Sequence, residues 1–257
     1  HSNTKFIIGF EVEKEDYDVL TKYYYQDIHD NIGWCKEDDG SLDDDDGFEL
    51  VSPAFDLYTD DLDKQIESSE ALREMIDADY STNCGGHITV SSSLYTAHEM
   101  IEGLSAFFPL LYALYDGRTE NDYSRPKQKY RYHQHPSKDA IMSRGNRTVY
   151  EADHKTFGAI EMRIFSAVRS VKNLLWRRDL IRIMTDNFGK SEKDVLRLLM
   201  NPKSKLFRHL NEVYSLERIV SKITSFVSYS KQYNFKVIQV PDRQELLDKF
   251  RKAQENN

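Results

Sequence analysis

Four short segments of this chain alternate apolar and ionisable residues with a period of two, and that alternation limits the fold more than any other feature. In KFIIGFEVEK, residues 5–14, a β-strand would put Phe6, Ile8, Phe10 and Val12 on one face. Ile7, Gly9, Glu11 and Glu13 would take the other. In GFELV, Glu49 lies opposite Phe48 and Leu50; in GHITV, His87 and Thr89 lie opposite Ile88 and Val90. In AIEMRI, Glu161 and Arg163 lie opposite Ile160, Met162 and Ile164. Strands of this kind in one sheet would give a core face and a second face gathering Glu11, Glu13, Glu49, His87, Glu161 and Arg163.

An antiparallel sheet often leaves one face to water, and polar alternation then means only solvation. Such a face mixes Lys, Thr, Ser and Gln freely, whereas these positions hold four glutamates, one histidine and one arginine. Carboxylates this crowded repel one another and resist losing water, and they are tolerable with cations between them. An oxygen-rich donor set with one histidine suits magnesium or manganese better than zinc.

Strands come first along the chain and helices last. The pattern predicts strands over Phe6–Val12, Phe48–Val51, Gly86–Ser91 and Ala159–Phe165, with weaker ones near Trp34–Lys36 and Thr148–Glu151. Thr96-Ala-His-Glu99 reads as a capping box opening an apolar helix, with a kink expected at Pro109. Helices are expected between about Asp63 and Ile76, and then over Val171–Asn187, Ser191–Met200, Lys205–Tyr214 and Leu216–Lys231. A terminal helix should follow with Asp242 as N-cap. The expected class is α+β: a twisted antiparallel sheet with helices on one face and a helical C-terminal extension.

A net charge of -8 argues against general binding of duplex nucleic acid. No apolar run approaches the roughly 18 residues of a membrane span, and the first residues lack a basic-then-apolar signal pattern. With only Cys35 and Cys84, a disulfide framework is not expected and the cytoplasm is the expected location. Cys84, three residues before His87, is read as a small buried thiol rather than a nucleophile. Asp43–Asp46 reads as a solvated loop.

Six segments occur in an order that resembles the amidoligase family: GFEVE (9–13), WCKEDDGSL (34–42), FELVSP (48–53), NCGGHITV (83–90), GRTENDYSR (117–125) and GAIEMRIF (158–165). That family is a branch of the carboxylate–amine ligases related to glutamine synthetase and glutamate–cysteine ligase. The resemblance implies a glutamine-synthetase-like sheet cradle over about residues 5–190, with residues 191–257 as a helical extension. It implies ATP and two or three magnesium or manganese ions as cofactors. Glu11, His87 and Glu161 would surround the ion on the transferred-phosphoryl side. Glu13 and Glu49 would hold the ion facing the acceptor carboxylate, with Asp39 helping and Asp38 and Asp43–Asp46 competing for that role. Arg163 would contact the transferred phosphate, and Arg118 and Arg125, with Asn121 and Tyr123, would face substrate or nucleotide.

The implied reaction needs these residue types. A carboxylate acylates only after ATP converts it to an acyl phosphate, and metals and arginine neutralise the charge on the transferring oxygens. An amine then displaces phosphate, leaving an amide or isopeptide bond. The substrates would be a carboxylate and an amine from an amino acid, a peptide or a protein side chain; an oligomer is compatible with this reading. A phosphotransferase on the same cradle and a non-catalytic ATP- and metal-binding module are the alternatives. Gly85 and Gly86 would permit close backbone approach to a ligand, or form a turn. The basic segment Arg125–Arg147 would be a loop over the nucleotide or an acidic substrate, with a solvated loop and a single-stranded nucleic-acid contact as weaker readings.

Overall fold

The protein is described from a computed structural model, over residues 6–23, 29–30, 32–42, 45–120, 124, 149–151, 158–233, 235 and 239–256. Arg125, Asn121, Tyr123, Asp43, Asp44 and the segment 125–147 lie outside the described residues. The chain divides into two compact units: His1–Met100 with Val149–Arg182, and Ile101–Thr148 with Ile183–Asn257.

The first unit is built on an antiparallel sheet. Its strands are β1 (Ile7–Glu15), β2 (Cys35–Glu37), β3 (Gly47–Val51), β4 (Phe55–Asp56), β5 (Gly86–Ser92), β6 (Val149–Glu151) and β7 (Gly158–Met162). The order is β2-β3-β1-β5-β7-β6, with the short β4 also pairing β1. β1 is thus central, and it runs three residues beyond the expected end at Val12, to Glu15. β7 stops at Met162, three residues short of the expected end, so Arg163 leaves the sheet beside Glu161.

The register sorts the side chains. Glu11 pairs with His87, Glu13 with Glu49, Glu49 with Glu37, and Thr89 with Glu161. Directly opposed residues project to the same side. The carboxylates and His87 therefore share one face, as the alternation requires. Phe10, Val12, Phe48, Leu50, Ile88, Val90, Ile160 and Met162 are buried on the other. Burying each of these large apolar side chains contributes about 1.5–3 kcal/mol.

Helices flank the strands: α1 (Tyr17–Lys22), α2 (Asp61–Ser68) and α3 (Glu70–Ile76). The single helix expected near Asp63–Ile76 is broken at Ser69, whose extended backbone lets its hydroxyl accept from the Leu72 amide and cap α3. α4 (Ala97–Leu104) opens on the expected capping box: the Glu99 amide donates to Thr96 Oγ1 and the Thr96 amide to Glu99 Oε2. A 3-10 turn over Ser105–Phe107 separates α4 from α5 (Phe108–Leu114), which has Pro109 in its first turn. The expected kink is therefore a full interruption just before the proline, whose missing N–H is harmless only at a helix start. α6 (Val171–Asp186) follows β7.

The second unit is helical. Beside α5 it holds α7 (Glu192–Leu199), α8 (Lys205–Asn211), α9 (Leu216–Gln232) and α10 (Arg243–Glu255). α9 makes an extensive contact with α5. There Tyr112 meets the rings of Tyr229, Tyr233 and Phe235 edge-on, and Lys222 Nζ donates to the Ala113 carbonyl. Asp242 caps α10 by accepting from the Gln244 amide, as expected. Among the described residues no helix is long and apolar enough to cross a membrane.

Candidate metal centre

The carboxylate-bearing face of the sheet gathers two sets of donor atoms, all buried or half-buried. Glu11, His87 and Glu161 form one, and Glu13, Asp39 and Glu49 the other; within each set one donor atom per residue lies within 4.8 Å of the rest. Two oxygens bound to one magnesium ion at about 2.1 Å are at most about 4.2 Å apart. Each set can therefore close on a shared ion by small side-chain movements. The strand register explains the division. Glu11 faces β5, where His87 sits beside it, and Glu13 faces β3, where Glu49 does.

His87 is almost wholly buried and stands between the sets. Its Nδ1 lies 3.2 Å from Glu11 Oε2 and 3.4 Å from Glu161 Oε1, and its Nε2 is 3.9 Å from Glu13 Oε1. The nitrogen that faces the first set is thus Nδ1. Glu13 is anchored from the chain itself: the Gly85 amide donates to Glu13 Oε2 at 2.6 Å. Asp39 is steadied by a turn in which the Ser41 amide donates to its Oδ1 at 2.9 Å.

The electrostatics suit a cation. Burial, then the charges of Glu11, Glu13, Asp39 and Glu37, push the Glu49 carboxyl up to about 8. A donor set of carboxylates with one imidazole and no thiol fits magnesium or manganese. A dication would relieve the repulsion that makes Glu49 hold its proton.

Arg163 remains beside the first set, with Nε 3.5 Å from Glu161 Oε1. Arg118 is a buried residue of the second unit, at the end of a 3-10 turn, and its carbonyl accepts from Ser124 Oγ. Of the acidic residues competing for the extra role, Asp39 joins the second set; Asp38 does not.

Gly86 needs no ligand to explain it. A Cβ there would lie 2.5 Å from the Ser166 carbonyl oxygen and 2.6 Å from Arg177 Nη1, so the close approach is made by the protein's own chain. Gly9 differs: a Cβ would meet only Ser52 Oγ, at 3.8 Å. It lines an open cavity of about 270 Å³ with Ile7, Glu11, Ser52, Thr89 and Ser91.

Two elements of the site escaped the sequence reading. Glu37 lies opposite Glu49, because β2 runs to Glu37 rather than stopping at Lys36. Lys14 and Lys36 both point to the apolar side. Lys36 Nζ donates to the Leu20 and Tyr23 carbonyls, and Lys14 is fully buried. Continuing the alternation of β1 past Val12 would have placed Lys14 there.

No family model matches the chain, and no curated protein does. Among solved structures it is similar to the complex between the prokaryotic ubiquitin-like protein Pup and its ligase PafA. That match has 12% identity and a TM-score of 0.34, and it covers 98% of this chain and 64% of that one. The chain thus spans less than two thirds of the structure it matches, and an overlap this slight settles neither fold family nor chemistry.

Proposed function

We propose that the protein is an ATP- and magnesium-dependent carboxylate–amine ligase acting through an acyl phosphate. The observation that carries this reading is the division of Glu11 and Glu13, neighbours on one strand face, between two separate sets of donors. One ion needs one set. Two adjacent ions suit a phosphoryl group passing between two oxygens, each of which must be neutralised. The six ordered segments that resemble the amidoligases supply the reaction class, and the glutamine-synthetase-like cradle is part of the same proposal.

Glu11, His87 and Glu161 would hold the ion on the nucleotide side, and Glu13, Asp39 and Glu49 the ion on the acceptor side. When bound, the ions supply charge neutralisation of the phosphates and of the acceptor carboxylate. Arg163, on the border of the first set, contributes a guanidinium to the transferring phosphoryl group. The cavity beside Glu11, with Gly9 in its wall, takes the nucleoside. Between the two donor sets the acceptor carboxylate oxygen would attack the terminal phosphorus, with ADP as the leaving group. The amine nitrogen then attacks the acyl carbon, phosphate departs with the C–O electron pair, and the amine loses a proton. Arg118 and Arg125 are proposed to face substrate or nucleotide. The carboxylate and amine are proposed to come from an amino acid, a peptide or a protein side chain.

The test is phosphate release from ATP with magnesium, measured with candidate carboxylates in the presence and absence of amines. Amine-dependent release with a condensed product in the mass spectrum is expected. A stable phosphorylated acceptor formed without amine would make the protein a phosphotransferase instead. ATP turnover unaffected by mutating either donor set would overturn the reading.

A further inference from the structure

The carboxylate face has a buried counterpart behind it. β1 ends in Glu13-Lys14-Glu15, and alternation sends Lys14 through to the apolar side, where no part of it reaches solvent. Its ammonium donates to two backbone carbonyls, Ala78 at 2.8 Å and Val168 at 2.6 Å. Burial lowers its pKa to about 8, a sign of how costly the charge is there. A methionine would fill the same space without desolvating an ammonium, but it would give neither carbonyl a donor.

The two carbonyls lie in segments that meet at Gly85. Ala78 belongs to the stretch from α3 to β5, which leads into Gly85; Val168 belongs to the stretch from β7 to α6. Gly85 forms a bridge with Ser166, and the Gly86 amide donates to the Phe165 carbonyl at 3.2 Å. Gly85 in turn grips Glu13 twice. Its amide donates to Glu13 Oε2, and its carbonyl accepts from the Glu13 amide at 3.2 Å. Main chain and hydrogen bonds together therefore link the Lys14 ammonium, through both segments, to the carboxylate of the preceding residue.

We propose that Lys14 is the positioning residue for Glu13: by tying the two segments together behind β1, it holds the Gly85 amide on Glu13 Oε2 and leaves Oε1 directed at the acceptor-side ion. This rests on the reading of the two donor sets as ion sites. A lysine that merely stabilised the fold would, when lost, weaken both sets alike. A lysine that positions Glu13 would weaken one. Glu11, held by the β1–β5 register against His87, does not depend on the clamp.

The experiment is manganese binding followed by electron paramagnetic resonance in the wild-type protein, Lys14→Met and Arg178→Met. Arg178 is a buried residue of the same unit, paired with Asp63 through two nitrogens at 2.5 and 3.0 Å, and has no place in the centre. Lys14→Met should lose affinity in one class of ion by at least about tenfold, the lower end of what losing an outer partner of a ligand costs, and keep the other class. Arg178→Met should lower the thermal midpoint and keep both. Lys14→Gln, which keeps a polar donor, serves if the methionine variant does not fold, and the same selective loss is expected of it. A folded Lys14 variant with both classes intact, or with both weakened equally, overturns the role. If wild-type protein shows no two classes of ion, the metal reading itself fails, and that result is separate from any effect of Lys14.

Discussion

Glu11 and Glu13 stand two residues apart on one face of β1, yet Glu11 belongs with His87 and Glu161 while Glu13 belongs with Asp39 and Glu49. The cause is the pairing of β1 on both edges. Glu11 is opposed by His87 on β5 and Glu13 by Glu49 on β3. A two-residue repeat on a central strand thus becomes a two-site centre in which strands place every donor but Asp39, which comes from the turn after β2.

The division makes the two sets separable by mutation. Glu161→Gln should remove one class of bound manganese and Glu49→Gln the other, each by at least about tenfold in affinity. Both variants should abolish ligation and both should fold, since each also relieves repulsion between carboxylates. Manganese titration of the two proteins checks this. Loss of the same class in both would mean one site, not two.

Glu49 sets a pH dependence in metal-free protein. Its carboxyl is raised from 4.5 to about 8, so between those values the folded protein holds a proton that the unfolded chain has released. Stability therefore falls as pH rises through that window. Lys14 acts in the next one. Lowered from 10.5 to about 8, it has lost its proton in the folded protein while the unfolded chain keeps its own, so stability recovers as pH rises from about 8 to 10.5. Denaturant midpoints in EDTA should pass through a minimum near pH 8. A midpoint that climbs steadily from acid to neutral pH would contradict the crowding of Glu49.

How much of this was legible in the sequence depends on which interaction decides each feature. The split faces of β1, β3 and β5 follow from backbone geometry, and Glu11, Glu13, Glu49, His87 and Glu161 were all readable from alternation. Asp39 was named ahead of Asp38 only through the family resemblance, because alternation does not extend into the turn where the Ser41 amide donates to Asp39 Oδ1. Lys14 was hidden for a different reason. A lysine on an apolar face is credible only once its acceptors are known, and these lie 64 and 154 residues away in sequence. The break at Ser69 is a local signal, since serine is among the preferred helix N-caps and its hydroxyl accepts from the Leu72 amide.

The two glycines near the centre should respond in opposite ways. Gly86→Ala forces a methyl group against the Ser166 carbonyl and the Arg177 guanidinium, where Arg177 also donates to the Ser166 and Ala167 carbonyls. Overpacking of this kind costs about 1–3 kcal/mol, and thermal unfolding should show it. Gly9→Ala meets only ordinary contact and should leave stability within about 1 kcal/mol of wild type. It narrows the cavity beside Glu11, however, so nucleotide affinity should fall while manganese binding stays intact. Unchanged nucleotide affinity in a bulkier Gly9→Val would place the nucleoside elsewhere.

Arg163 poses the sharpest kinetic question, because its Nε stands 3.5 Å from Glu161 Oε1, beyond ordinary hydrogen-bond length. A guanidinium held by its carboxylate neighbour alone would act as structure. One that meets the phosphoryl group as it transfers would act on rate. Arg163→Lys keeps the charge and loses the planar fork that grips two oxygens at once. The proposed role predicts a fall in kcat of at least about tenfold, with KM for ATP changed far less, because the interaction strengthens in the transition state. Steady-state kinetics with a saturating amine measure both. Equal rates in Arg163→Lys and wild type would reduce Arg163 to the ion-pair partner of Glu161. A rise in KM alone would show that it binds the nucleotide before transfer and contributes nothing specific to the step.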